Sequence, residues 1–141
     1  MTAVIDAAPV VAAADARDPR RSHVERALRD EPGVLILPQP VAAEVDYLLG
    51  RRLGQRSRRL FLSDLAAGRF LCAGLEREDL MHVAELDRRY EGLSLGLADL
   101  SVIVLARRFS TTRVVTFDER HFRAVRPLRG DSFTLLPGDE L

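Results

Sequence analysis

The apolar residues of this chain are concentrated in five short runs, and between these runs apolar and polar positions alternate with helical spacing. Short, mainly apolar runs bounded by turn residues are typical of strands that are buried on both faces of a sheet. The pattern predicts strands over residues 3–5, 34–37, 70–73, 114–117 and 133–136.

The segments between these runs predict amphipathic or buried helices. Residues 76–90 are the clearest case, because Leu80, Val83 and Leu86 lie on or beside one helical face. Residues 97–109 are apolar on nearly all sides, which is typical of a helix buried in a core. Four further helices are predicted over residues 9–16, 19–30, 40–49 and 55–67.

The alternation of strands and helices indicates an α/β fold in which helices cover both faces of a parallel sheet. A length of 141 residues is typical of one domain, and no repeat, low-complexity tract or long linker divides the chain. We therefore expect a single three-layer domain over residues 1–141, with a central, mostly parallel sheet of four to five strands.

Four acidic residues stand next to apolar runs or on apolar helix faces. Asp6 and Asp118 directly follow predicted strands, where ligands of open parallel sheets bind. Glu44 shares a helical face with apolar residues such as Val45, and Asp99 lies in the first turn of the most apolar helix. Each also has a structural interpretation: a turn or helix cap for the three aspartates, and a rim position with its carboxylate in water for Glu44.

These four carboxylates predict a metal site if the fold brings them together. Clustered carboxylates repel one another unless a divalent cation lies between them. Oxygen ligands without a histidine at ligand spacing favour Mg²⁺ or Mn²⁺ over zinc. Because such a cation lowers the pKa of a bound water, which can then attack a phosphodiester, the pattern points to phosphodiester hydrolysis.

The charge pattern limits how a polyanion could bind. The formal net charge is zero, so a nucleic acid would need a local basic patch. The chain contains no lysine, and its basic side chains are arginines, whose bidentate fork suits phosphate. One basic cluster could contact an RNA backbone or could equally be a solvated helix face, and it consists of Arg51, Arg52, Arg56, Arg58 and Arg59.

Other residues and absent features narrow the interpretation further. Thr116 is a candidate hydrogen-bond partner of the acidic site, and His121 is more simply explained as a structural residue. The single cysteine, Cys72, excludes a disulfide within one chain. No apolar stretch reaches the length of a membrane span and no leader sequence is evident, so we expect a cytoplasmic protein without membrane contact.

Four segments resemble a PIN domain, and within that group a VapC-type toxin of a toxin–antitoxin pair. The order and spacing of these segments carry the resemblance, and they read VIDAAPVVAAAD, LPQPVAAEVDYLL, GLADLSVIVLARR and VVTFDERHF. The resemblance implies a PIN-like fold and a Mg²⁺- or Mn²⁺-dependent endoribonuclease that cleaves structured RNA such as tRNA or rRNA. It also implies homodimerisation and inhibition by a cognate VapB-type antitoxin, whose C-terminal segment covers the acidic site.

By position, Asp6, Glu44, Asp99 and Asp118 match the acidic quartet of the PIN family. The resemblance implies that Asp6 and Asp99 are direct metal ligands, and that Glu44 and Asp118 complete the site directly or through water. One feature departs from the family: Ala7 follows Asp6, where PIN domains commonly carry a serine or threonine that supports the first aspartate.

Two alternatives to a nuclease can be weighed. Haloacid-dehalogenase-like phosphatases and phosphoacceptor receiver domains rely on a lysine, which this chain lacks, and the former also need an aspartate at the position of Ala8. The second alternative is a non-catalytic PIN-like module that binds RNA or a protein. The alanines after Asp6 and the zero net charge favour this module, whereas the complete acidic quartet favours the enzyme.

Overall fold

The computed structural model describes residues 2–140 and contains one five-stranded sheet in which all neighbouring strands run parallel. Its strands are β1 (Ala3–Ile5), β2 (Leu35–Pro38), β3 (Leu71–Ala73), β4 (Arg113–Val115) and β5 (Thr134–Leu136). Their order across the sheet is β3-β2-β1-β4-β5. The predicted α/β class and parallel sheet are therefore confirmed, and the predicted strand boundaries differ by no more than two residues.

Seven α-helices flank the sheet in the described part of the chain. They are α1 (Ala7–Ala14), α2 (Arg21–Asp30), α3 (Gln39–Arg52), α4 (Gln55–Ala66), α5 (Arg77–Arg89), α6 (Leu97–Arg108) and α7 (Glu119–Ala124). Single turns of 3₁₀-helix cover Glu91–Leu93 and Gly138–Glu140. The first six helices were predicted, whereas α7 was missed because six residues are too few to show an apolar period.

The core lies around β1, β2, β4 and the central helix α6. Val4, Ile36 and Val114, one on each of these strands, are fully buried, as expected for strands covered on both faces. Residues 100–106 of α6 are all buried, which explains the apolar character of this helix on nearly every side. Among residues 2–140, none of the helices combines the length and the apolarity that a membrane span requires.

The strand order creates a crevice at the carboxyl end of the sheet. From β1 the chain moves to one side through β2 and β3, and then returns to the other side of β1 through β4 and β5. Such a reversal point is where open α/β sheets bind ligands. Ile5 of β1 pairs with Val115 of β4, so the next residues along the two strands, Asp6 and Thr116, meet at this crevice.

Candidate active site

Asp6 is the buried residue at the centre of the crevice. It lies directly after β1 and caps α1: its Oδ1 accepts a hydrogen bond from the Ala7 N–H at 2.9 Å, and its Oδ2 accepts one from the Thr116 hydroxyl at 2.9 Å. Burial raises the pKa of Asp6 from its ordinary value of 3.8 to about 6. The two hydrogen bonds oppose this rise, whereas the negative charges of Asp99 and Glu44 add to it.

Thr116 connects the ends of β1 and β4. Its hydroxyl donates to Asp6 and accepts a hydrogen bond from the Asp118 N–H at 2.9 Å. Its side chain is buried, so this hydroxyl has little access to water. Asp6 thus receives a hydroxyl hydrogen bond from the residue that follows β4, whereas Ala7, the residue after Asp6, has no hydroxyl.

Asp118 begins α7 and contacts the histidine one turn further along. Its Oδ1 accepts a hydrogen bond from the His121 N–H at 3.1 Å, and its Oδ2 lies 2.7 Å from the Nδ1 of His121. Asp118 therefore does cap a helix, as the structural interpretation expected, but the same contact places His121 beside the carboxylates. The spacing of the two residues in DERHF would have indicated this pair if α7 had been predicted.

Asp99 lies in the first turn of α6 and is half-buried. Its carboxylate accepts a hydrogen bond from the Gly96 N–H at 3.3 Å, so it contributes to capping the helix. Burial raises its pKa, and the nearby charge of Asp118 raises it further, while the Gly96 hydrogen bond and His121 lower it. Asp99 is thus near enough to Asp118 and His121 to sense their charges.

Glu44 lies at the rim of the cluster, which is the rim position that its helical spacing also allowed. The buried face of α3 is formed by Val41, Val45 and Leu49, and Glu44 lies beside this stripe with an exposed side chain. Its pKa is nevertheless raised by partial desolvation and by the charge of Asp99. Asp46, two residues further along α3, pairs with Arg58 of α4 at 3.0 Å.

The four acids share one electrostatic environment. Among residues 2–140, no three histidine, cysteine, aspartate or glutamate side chains converge closely enough to hold a metal ion as they stand. Repulsion between like charges favours such separated side chains. The site therefore offers the oxygen donors and negative charge that a cation requires, but its side chains must turn toward one another to coordinate the ion.

The basic cluster lies at the end of α3 and on α4. Its predicted members are Arg51, Arg52, Arg56, Arg58 and Arg59. Arg58 is already engaged, because its guanidinium donates to Asp46 and to Gln55 at 3.0 and 2.8 Å. The other four are exposed, and no carboxylate within residues 2–140 pairs with them. These four are the members that remain available to a phosphate backbone.

With the fold and the acidic crevice described, comparison with known proteins becomes informative. The family model of the PIN domain matches residues 3–127. The chain belongs to the PIN domain family. This PIN domain is 32% identical to Ribonuclease VapC26 of Mycobacterium tuberculosis over 134 residues, which cover 95% of this chain and 99% of the relative.

Solved structures support the same assignment of the fold. Mycobacterium tuberculosis VapC20, a Sarcin-Ricin loop cleaving toxin, superposes with a TM-score of 0.73 at 18% identity, covering 79% of this chain and 86% of that one. VapBC2 from Rickettsia felis, bound to a DNA fragment from its promoter, gives a TM-score of 0.70 at 17% identity, with coverage of 96% and 97%. The predicted membership of the VapC-type PIN domains is confirmed.

Proposed function

We propose that this PIN domain is a Mg²⁺- or Mn²⁺-dependent endoribonuclease and the toxin of a type II toxin–antitoxin pair. The similarity to Ribonuclease VapC26 extends over nearly the full length of both chains and supports ribonuclease chemistry. VapC20 cleaves the Sarcin-Ricin loop, which supports structured RNA as the substrate class. The acidic crevice at the reversal point of the sheet supplies the corresponding site.

The observation that carries this proposal is that two of the three buried carboxylates in the described part of the chain pair with arginines, whereas the third does not. Asp6, Glu31 and Asp79 are the buried acids among residues 2–140. Glu31 lies 3.0 Å from Arg113, and Asp79 lies 2.6 Å from Arg108. Asp6 has no such partner in the described chain, and the charged groups that shift its pKa are themselves acids. Burying an unpaired carboxylate among like charges is costly, and a bound cation removes that cost.

Asp6 and Asp99 would hold the metal ion directly, with Glu44 and Asp118 completing the site directly or through water. An all-oxygen donor set fits Mg²⁺ or Mn²⁺. When bound, the cation supplies a water of lowered pKa and positive charge to oppose the charge that develops on the phosphate.

The residues of the chain orient this site. Thr116 fixes the rotation of the Asp6 carboxylate through its hydroxyl, and through the Asp118 N–H it couples the ends of β1 and β4. His121 fixes the Asp118 side chain by a contact at 2.7 Å. Burial of Asp6 excludes water behind the cluster, so its charge acts toward the open side of the crevice.

Cleavage of total tRNA and rRNA tests this proposal. The purified chain is compared with Asp99→Asn in Mg²⁺, in Mn²⁺ and in EDTA. Asp30→Asn is the matched control, because Asp30 is an exposed acid at the end of α2, a helix that carries none of the four acids of the crevice. Asp99→Asn removes a ligand charge with little change in volume, so we expect loss of cleavage with an unchanged circular dichroism spectrum. Discrete fragments that need metal and persist in Asp30→Asn would support the nuclease.

A non-catalytic PIN-like module is the second candidate, and the separation of the carboxylates favours it. Calorimetric titration with Mn²⁺ distinguishes the two candidates. Metal binding together with metal-dependent cleavage supports the enzyme, whereas metal binding or RNA binding without cleavage of any RNA tested supports the module. Equal cleavage by wild type and Asp99→Asn would show that the acidic quartet has been assigned wrongly.

We also propose a VapB-type antitoxin as partner, with the chain acting as a homodimer in the cytoplasm. A VapBC2 complex shares the fold. An apolar groove of about 260 Å³ between α1, α2 and α4 offers a docking site, and Leu60 at its edge is 59% exposed. Leu60→Asp should release cleavage from antitoxin inhibition, whereas Leu62→Asp should not, because Leu62 lies on the same helix outside the groove. Equal inhibition of both variants would argue against this groove.

A further inference from the structure

A cavity of about 270 Å³ lies at the carboxyl end of β4, beside the acidic crevice. Its lining includes Arg20 and His23 from the start of α2, together with Phe117 and Pro137. Thr116 also lines this cavity while donating a hydrogen bond to Asp6. The cavity and the candidate metal site are therefore separated by a single side chain.

The distinctive feature of this cavity is a cation stacked on an aromatic ring. The Arg20 guanidinium carbon lies 4.0 Å from the centre of the Phe117 ring, a distance typical of a stacked contact. Asp18 holds the guanidinium in this position, since it accepts from Arg20 Nε at 3.1 Å and from Nη2 at 2.9 Å. The arginine is therefore oriented in advance, yet 53% of its side chain stays accessible.

A purely structural explanation would be that this contact ties the loop before α2 to the sheet. The far end of α2 is already fixed, because Glu31 pairs with Arg113 at the start of β4. As a structural tie the contact would contribute only weakly, because the guanidinium is exposed to solvent. The combination of orientation and exposure is what recognition of a flat ligand requires.

We propose that the Arg20–Phe117 stack binds one unstacked base of the RNA substrate, next to the phosphate that is cleaved. Proteins that recognise single-stranded RNA stack bases on aromatic rings and on arginine guanidinium planes. Because Thr116 lines this cavity and also donates to Asp6, a base held here belongs to a nucleotide beside the scissile bond. This inference rests on the proposed ribonuclease function and adds a specificity-determining site to it.

The test uses a synthetic RNA that reproduces the folded segment around a cleavage site mapped on tRNA or rRNA, with the cleaved bond in an unpaired loop. Steady-state kinetics are measured for wild type, Phe117→Leu and Arg20→Gln. Arg17→Gln is the matched control, because Arg17 lies in the same loop, its side chain is 87% exposed and it is not part of the cavity. Phe117→Tyr retains the aromatic face and is a second control. If Phe117→Leu unfolds, as judged by thermal melting, Arg20→Gln carries the test.

We expect Phe117→Leu and Arg20→Gln to raise KM about 10- to 100-fold, the range of a lost base stack, with kcat changed less than about threefold. Arg17→Gln and Phe117→Tyr should match wild type within about threefold. The RNA is then made abasic at one nucleotide at a time around the cleaved bond. At one position the abasic RNA should raise KM for wild type but add nothing further for Phe117→Leu, because both changes remove the same contact.

Two results would overturn this inference. The first is that the KM values of Phe117→Leu and Arg20→Gln stay within threefold of the wild-type value. The second is that, at every position, removing the base raises the KM of Phe117→Leu by the same factor as it raises the KM of wild type. A wild-type chain that cleaves no RNA in either metal is a separate result. It would refute the ribonuclease proposal itself and remove the basis for a base-stacking site.

Discussion

Replacing Asp6 with asparagine should make the metal-free protein more stable at neutral pH, which is the reverse of the usual effect of changing a buried residue. Asparagine has nearly the shape of a protonated aspartic acid and carries no charge at any pH. Asp6 is buried, hydrogen-bonded to Thr116 and surrounded by acids rather than arginines. The substitution therefore removes an unfavourable charge. It also replaces one accepting oxygen by an NH2 group, so the Thr116 hydroxyl must accept a hydrogen bond there instead of donating one.

The magnitude follows from the pKa of Asp6. Folding raises this pKa from 3.8 to about 6, so the folded state holds the proton more tightly than the unfolded state does. The corresponding stabilisation is complete below pH 3.8 and is lost as the pH rises through 6. At 1.36 kcal/mol for each pH unit, the ionised carboxylate costs the folded protein about 3 kcal/mol at pH 7. Between pH 4 and pH 7, Asp6→Asn should gain up to about 3 kcal/mol in unfolding free energy relative to wild type, and the exchanged hydrogen bond adds a difference that does not vary with pH.

Urea unfolding in EDTA at several pH values between 4 and 7, followed by far-ultraviolet circular dichroism, measures this difference. Equal slopes against urea would show that both proteins unfold from equally compact states. Asp30→Asn, which removes the charge of an exposed acid, is measured beside Asp6→Asn as the control. Saturating Mg²⁺ should close the gap, because a ligand at 100 times its Kd stabilises the wild type by about 2.7 kcal/mol. A gap that is absent at pH 7, or that is constant with pH, would refute the reasoning.

Two further predictions concern the surroundings of the site. Thr116→Val removes the hydroxyl that supports Asp6, so we expect it to weaken Mn²⁺ binding about 10- to 100-fold in a calorimetric titration. Thr116→Ser keeps a hydroxyl and should bind Mn²⁺ like wild type. Equal Mn²⁺ binding by both variants would contradict this role of Thr116. The double substitution Arg56→Gln and Arg59→Gln should reduce the slope of log K against log salt for RNA binding by about two. Arg58→Gln should change this slope less, because the Arg58 guanidinium already pairs with a carboxylate. An unchanged slope in the double variant would show that these arginines only cover a solvated helix face.

The sequence predicted the fold and the position of the acids because both depend on local patterns. Apolar runs mark buried strands whatever their neighbours are, and α6 is apolar on so many sides that only a central position suits it. In a parallel sheet the residue after each strand lies at one common edge. It follows that Asp6 and Asp118 could be assigned to the same edge without knowledge of the strand order.

Features that depend on contacts between distant segments could not be predicted. The Thr116 hydroxyl reaches Asp6 across 110 positions of sequence, and the pairing of Glu31 with Arg113 spans 82. Neither contact has a local periodic signal. The spacing alone could not decide between the two positions considered for Glu44. A helical face defined by spacing is about 100° wide, so a residue at its margin can turn either inward or outward.

The charge balance of the chain shows that the lack of a cationic partner for Asp6 within residues 2–140 is specific to this site. The chain has 21 arginines and 21 acidic residues, so in principle every acid could have a cationic partner. The fold places arginines beside Glu31 and Asp79, yet it leaves Asp6 among other acids, where the carboxylate lowers stability at neutral pH. A general shortage of cations does not explain this arrangement, because Arg56 and Arg59 remain exposed without a carboxylate partner in the described chain. An unpaired buried carboxylate that lowers the stability of the fold is typical of a functional site. The cation proposed for the crevice would pair with Asp6 and restore that stability.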